Sequence, residues 1–314
     1  MPDVTVGQIG LGNMGGQLAQ RLIDEGFEVL GFDIDEDAID TFEEYGGEAV
    51  ASNRELAERS DVLLSALSYP DVIREAFLGT DGVIEGAQDG LVCIEQSTIP
   101  PEPTKDIARE IEAAGIHVLD APFLGSPHSA REGTLILPVG GDRSVYERDD
   151  VQAVLAAASR ESYHMGDIGA GKATKLVNNC ISLGNSVLAY EALAMGQALG
   201  LEVGQLHEAL SYGAGSSVAL RVFIPAALNQ EFPPVFPVSY TQKDFGYALE
   251  AAQEVDFPMF VASTILQLYT GAAAKGHADD AAGTVVKVFE DWLGERLEAE
   301  EPVEVPDHDP IFHR

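Results

Sequence analysis

Lys172, Lys175 and Asn179 stand at i, i+3 and i+7 in the stretch Gly166-Asp167-Ile168-Gly169-Ala170-Gly171-Lys172-Ala173-Thr174-Lys175-Leu176-Val177-Asn178-Asn179, so they share one face of a helix. Lys175 and Asn179, four apart, can touch one small molecule. A lysine works as a general acid/base when burial or a neighbouring positive charge lowers its pKa, and Lys172 is the candidate neighbour. Asn179 offers an uncharged donor to a substrate oxygen. The competing reading is a pair of solvated surface lysines. Apolar Leu176, Val177 and Ile181 argue against it, and so does a chain with only six lysines: Lys105, Lys172, Lys175, Lys243, Lys275 and Lys287.

A second constellation, Gly10-Leu11-Gly12-Asn13-Met14-Gly15, has the form GxGxxG. Alone it is weak, because the chain has 32 glycines. Its context strengthens it: strand-like Val4-Thr5-Val6-Gly7-Gln8-Ile9 precedes it, and apolar Met14, Leu18, Leu22 and Ile23 at helical spacing follow. There the first glycine permits a tight turn, the second lets backbone approach a pyrophosphate, and the third packs helix on strand. The helix N-terminus adds about half a positive charge and free N–H groups. Asp33 closes the next strand, 23 residues after Gly10. A carboxylate there accepts a ribose 2′-hydroxyl and repels a 2′-phosphate, so NAD is expected in preference to NADP. The alternative is a structural turn, with Asp33 capping the next helix.

The elements that must position these residues alternate. Strands are expected at 4–9, 28–32, 62–67, 91–94, 117–119, 135–139 and near Tyr163, and helices at 13–25, 35–45, from Ser52, and near 71–78, 101–114 and 144–158. Ser52 and Glu55 form a capping box. Near-continuous apolar strands such as Val62-Leu63-Leu64 mark a parallel sheet covered on both faces. A doubly wound α/β domain over 1–165 follows. Beyond it a long helix over 172–199 leads into helical patterns at 203–212, 217–228, 240–254, 258–274 and 282–293, with no strand. An all-α domain is therefore expected over 166–294, joined to the first by the long helix. The segment 295–314 reads as an acidic mobile tail. Its Asp307-His308-Asp309 and His313 are metal-ligating residue types, but no metal site is expected.

The 314 residues suggest two domains, and 52 acidic against 18 basic residues give a formal charge of −34. Such a chain repels phosphate backbones and anionic membranes, which excludes nucleic-acid and lipid-surface binding. No apolar run is long enough to span a membrane, and no signal peptide is evident. With only Cys93 and Cys180, a reducing cytoplasm is the simple expectation. Acid spread along a lysine-poor chain suits molar salt, where the Debye length shrinks to about 3 Å. A halophilic cytosolic protein is expected.

These motifs together resemble the β-hydroxyacid dehydrogenases, the group containing 3-hydroxyisobutyrate dehydrogenase and tartronate semialdehyde reductase. The glycine loop, Asp120-Ala121-Pro122 with Gly133-Thr134-Leu135, the stretch from Gly166 to Asn179, Ser97-Thr98-Ile99-Pro100 and Lys243-Asp244 carry the resemblance, in order, over about residues 1–293. It implies a Rossmann-type NAD domain and a helical domain that pairs subunits into a homodimer or homotetramer. It implies Lys175 as catalytic acid/base, Asn179 positioning a small carboxylate substrate, and Leu67, Ser68, Thr98 and Lys243 at the cofactor. Where the family has Ser-Gly-Gly after Ala-Pro-Val, this chain has Phe123-Leu124-Gly125-Ser126-Pro127. Leu124 removes a hydroxyl worth about 1.5–3 kcal/mol to a charged group; Ser126, Arg131 or His128 is expected to compensate. The implied reaction oxidises a 3-hydroxyisobutyrate-like β-hydroxyacid to its semialdehyde. An imine reductase and a non-catalytic dinucleotide binder on the same scaffold are the alternatives.

Overall fold

The computed structural model describes residues 4–233 and 236–306. Eight strands, β1 (Thr5–Ile9), β2 (Glu28–Phe32), β3 (Glu48–Ala49), β4 (Val62–Ser65), β5 (Val92–Glu95), β6 (His117–Asp120), β7 (Leu135–Gly141) and β8 (Ser159–Gly166), form one sheet. Their order is β3-β2-β1-β4-β5-β6-β7-β8, parallel except between β6 and β7. The strand order reverses between β1 and β4, the point beyond whose carboxyl ends ligands bind in doubly wound sheets. Alternate residues of β4 enter opposite cores: Val62 and Leu64 pack with Leu18, Leu22 and Val29, whereas Leu63 packs with Leu30, Phe77 and Ile107. Burial on both faces explains the unbroken apolar runs.

Local chemistry sets the helix ends. Ser52 Oγ accepts from Glu55 N at 3.1 Å, as the capping box requires. Glu55 reaches back one residue further than expected, accepting from Ala51 N at 3.0 Å. The helix expected over 144–158 is broken into Arg143–Tyr146 and Asp149–Ala158. Arg148 between them is extended, with its guanidinium held by Asp150 and the Gly90 carbonyl.

Two compact units divide between Leu176 and Val177, inside the helix Ala170–Ala198. The division lies beyond the expected 165/166 because the first turns of this helix are bonded to strand ends of the sheet, as described below. The second unit packs Tyr190, Leu193, Phe245, Tyr269 and Val285 into its own core. Among its described residues the isolated bridge Pro237–Ala281 is the sole β pairing. Two helical patterns contain π-turns, Ala219–Phe223 and Ala273–His277, that periodicity does not reveal.

The tail expectation needs correction. Leu297 is fully buried, Ala299 N donates to Leu228 O, and Asn229 exchanges two hydrogen bonds with the Val303 backbone. Residues 295–306 are therefore tied to the helical unit despite their acidity, through backbone bonds and one apolar plug. The metal-ligating types at 307–309 and 313 lie outside the described residues. No described helix is long and apolar enough to cross a membrane.

Candidate active site

The glycine loop leaves β1 beside the carboxyl end of β4. Each glycine is needed for a different reason. At Gly10, φ is 84° and a Cβ would lie 2.5 Å from Ala66 O; at Gly15 it would lie 2.0 Å from Gly10 O. At Gly12 a Cβ would meet nothing within 4 Å. The outer glycines thus close the turn, and the middle one opens a backbone face. The helix Gly15–Asp24 starts at Met14 with no side-chain cap, so its first N–H groups have no side-chain acceptor. Leu11 and Asn13 complete this loop.

Asp33 sits at the end of β2 and accepts from Leu11 N at 2.6 Å and Asp35 N at 3.0 Å. It does not cap the next helix; Asp35 does, accepting from Asp37 N. Its carboxylate pins the glycine loop and keeps lone pairs for a ribose diol. Leu67 N donates to Ser97 Oγ at 2.8 Å, joining the loops after β4 and β5 that hold Ser68 and Thr98. Open backbone at Gly12, uncapped helix donors and a carboxylate on the neighbouring strand fit a dinucleotide.

The helix Ala170–Ala198 begins at an unusual junction. Asp120, at the end of β6 and fully buried, accepts from Gly169 N at 2.6 Å and Lys172 N at 2.7 Å. Backbone fits closely around it: a Cβ on Gly171 would lie 2.5 Å from Pro138 O and 2.6 Å from Asp120 Oδ2. Burial pushes the Asp120 carboxyl above its ordinary value, against the pull of Lys172 and the two N–H groups. Lys172, also fully buried, places Nζ 2.5 Å from Glu95 Oε2 and donates to Glu95 O at 2.9 Å and Ser97 O at 2.6 Å. Lys172 is thus no unneutralised like charge for Lys175, as expected from the sequence; Glu95 takes up its charge. Sequence reading missed Glu95. Its signal was a carboxylate ending an apolar strand, which must find a cation when buried.

One turn after Lys172, Lys175 is half-buried and donates to Phe123 O at 2.7 Å. Phe123 opens the loop Leu124-Gly125-Ser126. Leu124 exchanges two backbone bonds with Ile136, and Gly125 has φ 152°. Ser126 Oγ caps the short helix Pro127–Arg131 by accepting from Ser129 N at 3.2 Å. The hydroxyl expected to replace the one lost at Leu124 is therefore engaged locally. Arg131 is not a compensating cation either: it pairs with Asp24 at 2.6 Å. His128 is exposed.

In the helical unit Asn179 is buried and donates to Asp244 Oδ2 at 2.7 Å, while accepting from Asn178 at 3.1 Å. Lys243 lies 3.5 Å from Asp244 Oδ1 and stacks over the rings of Tyr240 and Tyr247. Cys180, next in sequence, has its thiol pushed up to about 11 by burial and by Asp244. Asp244 is the carboxylate shared by the two polar residues singled out here.

Comparison with known proteins places this geometry. Residues 5–166 match the family model for the NAD binding domain of 6-phosphogluconate dehydrogenase. Residues 169–289 match that for NAD-binding of NADP-dependent 3-hydroxyisobutyrate dehydrogenase. The chain is 31% identical over 293 residues to 2-(hydroxymethyl)glutarate dehydrogenase of Eubacterium barkeri, covering 93% of this chain and 97% of that one. It is 31% identical over 294 residues to NAD-dependent L-serine dehydrogenase of Pseudomonas aeruginosa, covering 91% and 98%. The crystal structure of a 3-hydroxyisobutyrate dehydrogenase from Salmonella typhimurium superposes with TM-score 0.83 at 26% identity, covering 91% of this chain and all of that one. With the glycine loop, Asp33 and the lysine-bearing helix in place, the chain belongs to the β-hydroxyacid dehydrogenase family, NAD-dependent oxidoreductases of hydroxyacids.

Proposed function

We propose that the chain interconverts a small 3-hydroxyacid of the 3-hydroxyisobutyrate type and its semialdehyde, with Lys175 as general acid/base. The observation that carries this reading is the Lys175 Nζ bond to Phe123 O at 2.7 Å, which holds the amine at the first residue of the loop Leu124-Gly125-Ser126. When bound, NAD supplies the hydride acceptor. Lys175 takes the hydroxyl proton as the alcohol carbon is oxidised, and returns it in the reverse direction. Asn179, one turn further along the helix and oriented by Asp244, hydrogen-bonds the substrate. With Leu124 apolar and Ser126 capping a helix, the loop offers a carboxylate mainly backbone groups at Gly125 and Ser126. Thr98, Leu67, Ser68 and Lys243 border the cofactor.

An imine reductase has no need of an acid/base lysine held in this way, so Lys175 favours the hydroxyacid reading. We further propose that the protein works in a saline cytoplasm as a homodimer or homotetramer. Exposed Val177, Ile181, Leu188, Met195 and Leu199 on the long helix support a partner copy, since an apolar stripe on a monomer is costly.

The test is NAD reduction in molar KCl over 3-hydroxyisobutyrate, glycerate, 3-hydroxypropionate, serine and 2-(hydroxymethyl)glutarate. Reduction with at least one, fading as salt is removed, is the expected result. NAD binding without reduction by any of them would identify a non-catalytic binder, and activity on cyclic imines alone would identify an imine reductase.

A further inference from the structure

Lys172 is buried among three oxygens, and all three belong to the turn that ends β5. That turn is itself closed by Glu95 Oε1, which accepts from Ser97 N at 2.8 Å. Ser97 Oγ holds Leu67 N, and Glu95 O also accepts from Ala121 N at 2.9 Å. On the other side the Lys172 backbone N–H is held by Asp120. One side chain therefore bonds the loop carrying Thr98 to the helical turn that precedes Lys175. An ammonium has three N–H groups, and here each has an oxygen nearby, so the side chain has no rotational freedom left. Four segments distant in sequence (the ends of β4, β5 and β6 and the start of the long helix) meet at this group. A methionine in its place would fill the volume and hold none of them.

We propose that Lys172 is a positioning residue: it fixes the distance between the cofactor loop at Ser97-Thr98 and the helix turn bearing Lys175. This rests on the reading of Lys175 as acid/base and extends it to a residue that touches neither substrate nor cofactor. Misplacing a reacting group by about 1 Å costs up to about a hundredfold in rate. Loss of the tie therefore lowers kcat while leaving substrate recognition largely in place.

The experiment uses the full-length protein with Lys172→Met, and with Lys172→Met/Glu95→Gln, which removes both charges together and leaves no unpaired buried carboxylate. Hydrogen exchange is read by mass spectrometry without substrate. The account expects peptides covering 95–98 and 169–175 to exchange about tenfold faster or more, together, with β1 and β2 unchanged. For the panel hydroxyacid that the wild type oxidises fastest, kcat is expected to fall about tenfold or more and KM to change less than about threefold. Faster exchange in only one of the two segments, or in neither, overturns the proposal. So does a folded double variant with wild-type kcat. If the single variant does not fold, the double variant decides by the same readings. Lys175→Ala serves as the control: turnover that survives it, or a wild type that oxidises nothing in the panel, defeats the acid/base reading beneath, while exchange still decides whether Lys172 couples the segments.

Discussion

The two ends of one helix run by different rules. At its start, every polar group is committed to backbone: Asp120 to two N–H groups, and the Lys172 ammonium to two carbonyls as well as to Glu95. Past Leu176 the bonds run between side chains, from Asn178 to Asn179 to Asp244, with Lys243 beside it. Backbone partners cannot move without moving the sheet, so the first region is a fixed mount. Side-chain partners can trade one acceptor for another, which suits a region that receives a substrate. Lys175 stands at the edge of the mount, with a single backbone carbonyl, Phe123 O, among the bonds that hold it.

Glycines sharpen the contrast most strongly. Gly171→Ala would drive a Cβ to within 2.5 Å of Pro138 O and 2.6 Å of Asp120 Oδ2, neither of which can yield. We expect a loss of about 1–3 kcal/mol or more, read as a lower urea midpoint. An unchanged midpoint would break the idea of a rigid mount. Asn179→Ala comes next. Losing one hydrogen bond at about 1.5 kcal/mol should lower kcat/KM about tenfold with little change in the thermal midpoint. A fall in stability without a fall in kcat/KM would make Asn179 purely structural.

The third effect is a pH slope. Burial raises the Asp120 carboxyl, so the folded state binds this proton more tightly than the unfolded chain. Its contribution to stability is then greatest at low pH. It declines as pH rises from the ordinary carboxylate value of about 4 through the raised one, and is flat above. The stability of the wild type minus that of Asp120→Asn, from urea melts between pH 4 and 7 (about the span in which the raised carboxyl titrates), should fall with pH. A rising difference would mean that Lys172 outweighs burial. The smallest effect is Gly184→Ala, further along the same helix, where a Cβ meets only the Ile265 methyl at 3.1 Å. The gain in helix propensity, about 0.5–1 kcal/mol, should leave the midpoint unchanged or slightly raised. A loss as large as that of Gly171→Ala would erase the distinction between the two ends.

Much of the scaffold was legible. β2 begins and ends where its β-branched and aromatic run does, and the GxGxxG loop falls between a strand and a helix as its spacing demands. Such elements are set by local periodicity. The junction was not legible, because Glu95, Asp120 and Lys172 are joined only by the sheet, 77 residues separating the Lys172 ammonium from its Glu95 carbonyl. Scarcity of lysine marked Lys172 as special but assigned it the wrong job. The segment 295–306 misled for a related reason: its acidity reads as solvation, while its order comes from backbone bonds and buried Leu297. Arg131 was read as a substrate cation because its partner, Asp24, belongs to a helix more than a hundred residues earlier.

The central claim is most directly tested by Lys175→Ala, measured for NAD affinity by fluorescence titration and for turnover with the best panel substrate in molar KCl. The account predicts NAD binding within about threefold of wild type and turnover lower by about 10²–10⁴. Turnover within a few-fold of wild type in a variant that binds NAD normally would contradict it.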